Sequence, residues 1–515
     1  MEAPAVPIDH ADASADAGAM PAFTHQQIVS VLTGILLCIL LAAIDQTVVV
    51  PAVPAIAADL NGFDHLSWII SAYLITSTSA MPIYGKLSDI YGRRALLLPA
   101  IVVFVIASAL CALSQTLFQL IAFRALQGLG GAGLMAMAQA AIADVVAPRE
   151  RGRYQGYMAG TWGVASIFGP ILGGWVTDHL SWHWIFWINL PIGAAAFYLS
   201  NRALKLLRVR RGVTRIDYAG AALLTGFITA SLLLMSWGGN TYPWGSAPIL
   251  GLGALSVGLL GALVVQERMA GEPLLPPRLF TNQVFSLGVV IAFLAAGGMF
   301  GATFLLPLFF QLIGGADASA SGTLIVPFLG SNVLGAYTAG QLARRLGRAK
   351  VIVLSGLVAA TAGFALLATM GPGTGGVASV LYMAVVGFGI GVCMPASLMI
   401  VQNAAERRDV GSATGALLFL RSMGGAFGST LVGALLAGRF SARLAEAGVT
   451  RRIDLGALRG PQGGLGALDA ATQAKAQAAL ASGFHLAFAV CAALAALALV
   501  ACARMRDLPL KSGKG

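Results

Sequence analysis

The sequence predicts an all-α polytopic membrane protein of 14 transmembrane helices, arranged as two six-helix bundles with two inserted helices between them. Three observations lead there. Of the 515 residues, 57% are hydrophobic and only 10% charged, with a mean hydropathy of +0.81, against about 25% charged in ordinary soluble domains. The apolar residues gather into continuous runs of about 20 residues, the length a helix needs to cross a bilayer. Short motifs also recur in order across the two halves of the chain.

The runs cover 28–50, 66–85, 95–115, 118–143, 155–177, 182–201, 217–236, 247–266, 284–312, 321–343, 349–369, 377–401, 411–435 and 483–503. They are continuous rather than alternating segments of about ten residues, which excludes a membrane barrel. The 64 glycines and 21 prolines suit close or broken helices in lipid. Residues 1–26 carry Glu2, Asp9, Asp12 and Asp16 but no Lys or Arg, so the basic region of a cleavable signal peptide is missing and a disordered cytoplasmic tail is expected.

Charge sets the orientation. With the amino terminus in the cytoplasm, the inner loops and carboxyl tail hold 24 of the 32 Lys and Arg, as the positive-inside rule requires. Six more fall in a long outer loop, 436–481, and the last two, Arg124 and Arg421, lie inside runs. Seven of the eight tryptophans, all but Trp162, sit near predicted outer helix ends, where amphipathic rings settle. The net charge of +11 therefore reports orientation, and no nucleic-acid partner is expected.

The repeat begins with "GKLSDIYGRR" (85–94), whose skeleton returns as "GQLARRLGRA" (340–349) at an offset of 255. "PRERG" (148–152) then matches "RRDVG" (407–411), and "GPILGG" (169–174) matches "GSTLVG" (428–433), both at an offset of 259. Three matches in order predict a duplicated six-helix unit in parallel orientation. The expected domains are a bundle over 27–205, a linker with two inserted helices over 206–270, a second bundle over 271–504 and a tail over 505–515.

Asp45 stands alone as a carboxylate in an apolar run. Counted from Ile28 at about 1.5 Å per residue it lies some 25 Å from the inner boundary of a core about 30 Å thick. Arg124, in an antiparallel span, lies roughly 9 Å in from the outer end. The depths nearly coincide, and a charge at membrane depth needs a partner or a cavity. Desolvation favours a neutral acid and a guanidinium favours a carboxylate, so an acid held between them can change protonation as its surroundings change. Proton coupling and a permanent structural ion pair are the two readings.

Taken together these motifs resemble the major facilitator superfamily, specifically its fourteen-span drug:proton antiporters of the multidrug efflux type, over essentially all of 28–504. "AAIDQTVVVPAVPAIAADL" (42–60) is similar to the first-span signature, "GKLSDIYGRR" to the loop signature and "RALQGLGGAG" (124–133) to the fourth-span pattern. "GVASIFGPILGG" (163–174) is similar to the antiporter motif, and "WHWIFWINLPIG" (182–193) and "LRSMGGAFG" (420–428) share the family look. The chain departs from the pattern in lacking an Asn after the first-span Thr-Val and any carboxylate in span 13. The resemblance implies export of hydrophobic or amphipathic drug-like compounds across a bacterial inner membrane, in exchange for protons and by alternating access.

Beside the resemblance stand physical readings. Asp89, Arg93, Arg94 and Asp144, with Gly85 and Gly92 allowing close approach, suit a latch at cytoplasmic helix ends; the plainer reading is a set of topology anchors. Gly163, Gly169, Gly173 and Gly174 around Pro170 predict a small-residue face with a bend, either sealing the bundles or simply packing. Thr47, Gln127, Gln311, Asn332, Gln402, Asn403 and Arg421 are candidates for a substrate cavity, interhelical hydrogen bonding being the alternative. Asp317 reads as an end-of-helix residue.

No GxxxxGK[ST] occurs, so ATP is not expected as the energy source. The six histidines and five cysteines show no metal spacing or CxxC, so no metal, cofactor or enzymatic activity is expected. The expected partners are a small molecule, protons and lipid. A periplasmic adaptor, a proton symporter, an exporter of one metabolite and a passive channel stay open.

Overall fold

The computed structural model describes residues 24–60, 66–146, 150–206, 217–239, 241–316, 318–447, 449 and 470–510. Among them the regular structure is helical, apart from two isolated bridges, Gly238 with Tyr242 and Arg348 with Pro509. In chain order the α-helices are α1 (His25–Asp59), α2 (Leu66–Tyr91), α3 (Arg93–Ala112), α4 (Leu117–Val145), α5 (Arg151–His179), α6 (Trp184–Trp187), α7 (Asn189–Ala203), α8 (Tyr218–Trp237) and α9 (Ala247–Met269). They continue as α10 (Pro277–Thr281), α11 (Gln283–Leu312), α12 (Ala318–Leu324), α13 (Val326–Leu346), α14 (Ala349–Leu367), α15 (Gly376–Ala404), α16 (Val410–Glu446) and α17 (Ala470–Arg504).

Local chemistry explains several boundaries. Thr24 and Gln27 form a capping box that starts α1, satisfying amides that a helix start leaves open. The Asn282 side chain accepts from the amide of Val284 at 2.9 Å to open α11, and Asp217 accepts from that of Gly220 at 2.8 Å to open α8. Gly92 (φ 87°) and Gly347 (φ 65°), equivalent positions of the repeat, both take the positive φ that glycine alone tolerates easily.

A helix occupies each of the predicted runs, with two corrections of detail. The runs 182–201 and 321–343 are broken, into α6 and α7 and into α12 and α13. The predicted outer loop 436–481 is partly helical: α16 continues to Glu446 through helix-forming Ala and Arg, with Arg443 on Glu446 at 2.8 Å, and α17 begins at Ala470. Among the described residues ten helices are long and apolar enough to cross a membrane by length and composition: all the long ones except α2, α5, α7 and α13. The predicted tail 1–26 up to Phe23, residues 207–216 of the linker, and Asp317 lie outside the described residues.

Helices α1 to α7 pack on one another, as do α11 to α17, and the two groups meet chiefly where α2 crosses α16 and α5 crosses α13. These crossings are equivalent under the repeat. A Cβ at Gly415 would stand 3.0 Å from Cα of Pro82, and one at Gly156 would stand 2.9 Å from Cα of Tyr337. Gly156 and Gly415 differ by 259 in number and Pro82 and Tyr337 by 255, so the repeated motifs sit at the repeated seam. Helix α8 packs on α2 and α16, and α9 packs on α8.

Candidate functional site

Asp45, 1% exposed, lies inside the first helix group with Arg124, 2% exposed. Arg124 Nη1 donates to Asp45 Oδ2 at 2.6 Å and to Gln127 Oε1 at 2.6 Å. Asp45 Oδ1 accepts from Gln127 Nε2 and from Asn189 Nδ2, each at 2.8 Å. Ser108 Oγ joins the two amides, at 3.1 Å from Asn189. Arg124 also donates from Nε to the Ile69 carbonyl at 3.3 Å and lies 4.5 Å from the Tyr73 ring centre. Helices α1, α2, α3, α4 and α7 thus each supply one wall.

Both carboxylate oxygens are occupied by donors, and the guanidinium is shared between a carboxylate, a carbonyl and an aromatic face. Such a network holds buried charges that would otherwise be too costly, and losing one partner strands the other at about 3–5 kcal/mol. Sequence reasoning brought Asp45 and Arg124 together by depth but missed Ser108, Tyr73 and Asn189. The signal for Asn189 was present: it is a polar amide inside the apolar run 182–201.

At the end of α2 predicted to face the cytoplasm, the Asp89 carboxylate accepts from the backbone amides of Gly411 at 2.9 Å and Ser412 at 2.8 Å, and from Ser412 Oγ at 3.1 Å. Those amides open α16, so a negative charge from one helix group caps the positive end of a helix in the other. Arg93 donates to Asp89 at 2.9 Å, to Ser88, and from Nε to Asp144 at 2.7 Å. Gly85 lets the helices touch, since a Cβ there would fall 2.5 Å from the Gly411 carbonyl oxygen. Arg94 is not part of this cluster. It donates to Asn201 Oδ1 at 2.7 Å and ties α3 to α7. At the equivalent of Asp89 in the repeat stands a cation, Arg344, which is exposed.

Two further ties, unforeseen from sequence, flank the cluster. Lys86, 8% exposed, pairs with Glu272 at 2.9 Å, and Arg278 pairs with Asp409 at 2.8 Å. The segment from Glu272 to Arg278 therefore joins α2 to the single 3-10 turn, Arg407–Asp409, that precedes α16. Arg151 donates to the Ala143 and Val146 carbonyls at the end of α4, at 2.6 and 2.9 Å, and reaches across to Gln402 of the other half at 3.4 Å.

The small-residue motif of α5 divides by face. Gly169 and Gly173 pack on Thr47 and Val48 of α1, Gly163 would place a Cβ 2.6 Å from Val333 of α13, and Gly174 meets nothing within 4 Å. Pro170 lies within the helix. The candidate cavity residues are not gathered in one place. Thr47 Oγ1 donates to the Ala165 carbonyl at 3.0 Å, and Gln127 belongs to the Asp45 cluster. Gln311 binds Ser321 at 2.8 Å, Gln402 binds Thr414 at 3.1 Å, and Asn403 reaches the Pro509 carbonyl at 3.2 Å beside the carboxyl tail. Asn332 Nδ2 is sealed without a partner. Arg421 Nε rests on the Met394 sulfur at 2.9 Å.

An all-helical membrane fold with two repeated helix groups meeting at equivalent seams defines the class. Residues 35–429 match the Major Facilitator Superfamily, and the chain belongs to it. It is 38% identical to the multidrug transporter protein MdtP of Bacillus subtilis (strain 168), over 79% of this chain and 75% of that one. It is 36% identical to multidrug resistance protein 3 of the same organism, over 81% of each. Among solved structures it is similar in fold to the human organic anion transporter MFSD10, with a TM-score of 0.63 at 17% identity over 92% of this chain and 99% of that one. The proton:xylose symporter XylE has a TM-score of 0.59 at 15% identity, over 93% and 95%. At such identities the likeness to these two structures is one of fold.

Proposed function

We propose that the protein is a proton-coupled antiporter that exports drug-like hydrophobic or amphipathic compounds across the bacterial cytoplasmic membrane. It has 14 spans, both termini in the cytoplasm, bundles over 27–205 and 271–504, and α8 and α9 inserted between them. The multidrug names of the relatives at 36–38% identity support the substrate class. The observation that carries the coupling is the sealed cluster of Asp45, Arg124, Gln127 and Asn189, an ionisable group deep in the membrane.

The transport cycle follows from the two clusters. The ties that join the halves, Asp89 to Ser412 and Lys86 to Glu272, lie at the end assigned to the cytoplasm, with the Arg278–Asp409 pair beside them within the second half, so this state is closed inside. A proton reaching Asp45 neutralises it, and the Arg124 pair loses its charge attraction. The neutral acid needs an acceptor; Asn189 Oδ1, sealed and unpartnered, becomes one if the amide turns over. Thr47, two residues along α1, is wedged on α5 against Ala165 and Gly169, so a shift of α1 moves α5, which carries the seam with α13. Proton entry down about 100 mV supplies about 2.3 kcal/mol per charge. Export and import share this machinery, so flux direction in vesicles under an imposed pH gradient is the deciding test: substrate moving against the proton gradient supports antiport, and substrate moving with it makes the protein a symporter.

A further inference from the structure

We infer that Arg421 recognises an anionic group on the transported compound, so that the substrates are amphipathic organic anions; this rests on the export reading. Arg421 lies eleven residues into α16 from Val410, about 16 Å at 1.5 Å per residue, near the middle of a core about 30 Å thick. Met394, its partner, lies ten residues before Ala404 at the same end of α15, so both helices bring the contact to the midplane.

Arg124, Arg93, Arg278 and Arg151, at the seams and clusters, each hold oxygen partners. Arg124 has Asp45, Arg93 has Asp89 and Asp144, Arg278 has Asp409, and Arg151 has two carbonyls. Among the described residues Arg421 pairs with no carboxylate, and its Nε contact is a thioether, a weak acceptor. The side chain is half-buried. The sealed, unpartnered side-chain atoms among the described residues are on Arg94, Asn189, Asp217, Ser246, Glu267 and Asn332. The terminal nitrogens of Arg421 are not among these sealed atoms, and they have no hydrogen-bond partner among the described residues.

The surroundings of this fork are apolar and yielding. Met394 lies against it, and one turn further along α16 a Cβ at Gly425 would meet the Phe300 ring of α11 at 2.7 Å; that ring is 47% exposed. A guanidinium beside a thioether and an exposed aromatic face offers a bidentate grip for one anionic group and adaptable contact for an apolar body. A cationic compound would instead meet an uncompensated like charge where solvent screening is weak.

The test uses two probes with one ring system, 8-anilinonaphthalene-1-sulfonate and the neutral N-phenyl-1-naphthylamine. Binding to purified full-length protein is read by energy transfer from its tryptophans, and movement by uptake into proteoliposomes under a pH gradient. Wild type should hold the sulfonate at least about tenfold tighter than the neutral probe, the range expected of a charge-assisted pair. Arg421→Gln should lose that preference while keeping the neutral probe, and Arg421→Lys should retain most of it. Unchanged sulfonate binding in Arg421→Gln overturns the inference. If Arg421→Gln misfolds on gel filtration, the apolar Arg421→Met decides by the same readout, and a sulfonate preference equal to that of wild type overturns the inference. A wild type that moves the neutral probe against the proton gradient but not the sulfonate overturns the anion assignment and leaves export standing. One that moves neither takes both down.

Discussion

The carboxylate of Asp89 and the backbone amide of Ser412 meet at 2.8 Å across the seam between the two halves, 323 residues apart in sequence. No side chain of the partner helix is needed for the main contact, because the opening amides of α16 are unsatisfied by geometry. In Asp89→Asn one of the two amides or Arg93 faces a donor instead of an acceptor, at about 1–3 kcal/mol. Insertion and probe binding should persist within about threefold, while flux falls roughly tenfold as the closed state loses population. Wild-type flux in this variant would reduce the cluster to a topology signal.

Two glycines predict opposite outcomes. Gly85→Ala places a Cβ 2.5 Å from a backbone oxygen of the facing helix, whereas Gly174→Ala meets nothing within 4 Å. The first should impair transport about tenfold or more by holding α2 off α16. The second should be neutral or stabilising, since alanine favours a helix by roughly 1 kcal/mol over glycine. Flux and thermal unfolding of both variants in one preparation check this.

The tie between Lys86 and Glu272 joins α2 to the segment that leads into the second half. Lys86→Glu should slow transport, and Lys86→Glu with Glu272→Lys should recover most of it. A double variant no better than the single one would show that the pair is incidental.

Orientation is open to direct measurement. Reporter fusions at 24, 275 and 508 should report cytoplasm and one at 447 the outside. An outside signal at 275 would remove the inserted pair from the topology.

Much of this was legible in the sequence because lipid imposes simple rules. Continuous apolar runs mark the helices, and the lone Asp45 stands out against one of them. The repeat showed because both copies place glycines at the same positions, Gly92 and Gly347 at turns and Gly156 and Gly415 at crossings. The polar supports were harder to read. Ser108 looks like an ordinary helix residue, and Asn189 like a stray amide in an apolar run, until the fold brings five helices together, and Arg94 parts from its neighbour Arg93 because adjacent residues on a helix point about 100° apart. The scattered amides Gln311, Gln402 and Asn403 were grouped by polarity alone, and their distances from one another depend on packing that periodicity does not encode.

The central claim is that Asp45 carries the proton. Asn keeps the size and the hydrogen-bonding capacity on one oxygen but cannot take up and release a proton, so Asp45→Asn separates coupling from packing. The measurement is substrate flux in reconstituted vesicles as a function of an imposed pH gradient, wild type against Asp45→Asn, with folding checked by gel filtration. A folded Asp45→Asn protein that binds substrate but shows no flux driven by the gradient is the predicted result; accumulation with the wild-type dependence on the gradient would contradict it and leave Asp45 a structural ion-pair partner of Arg124.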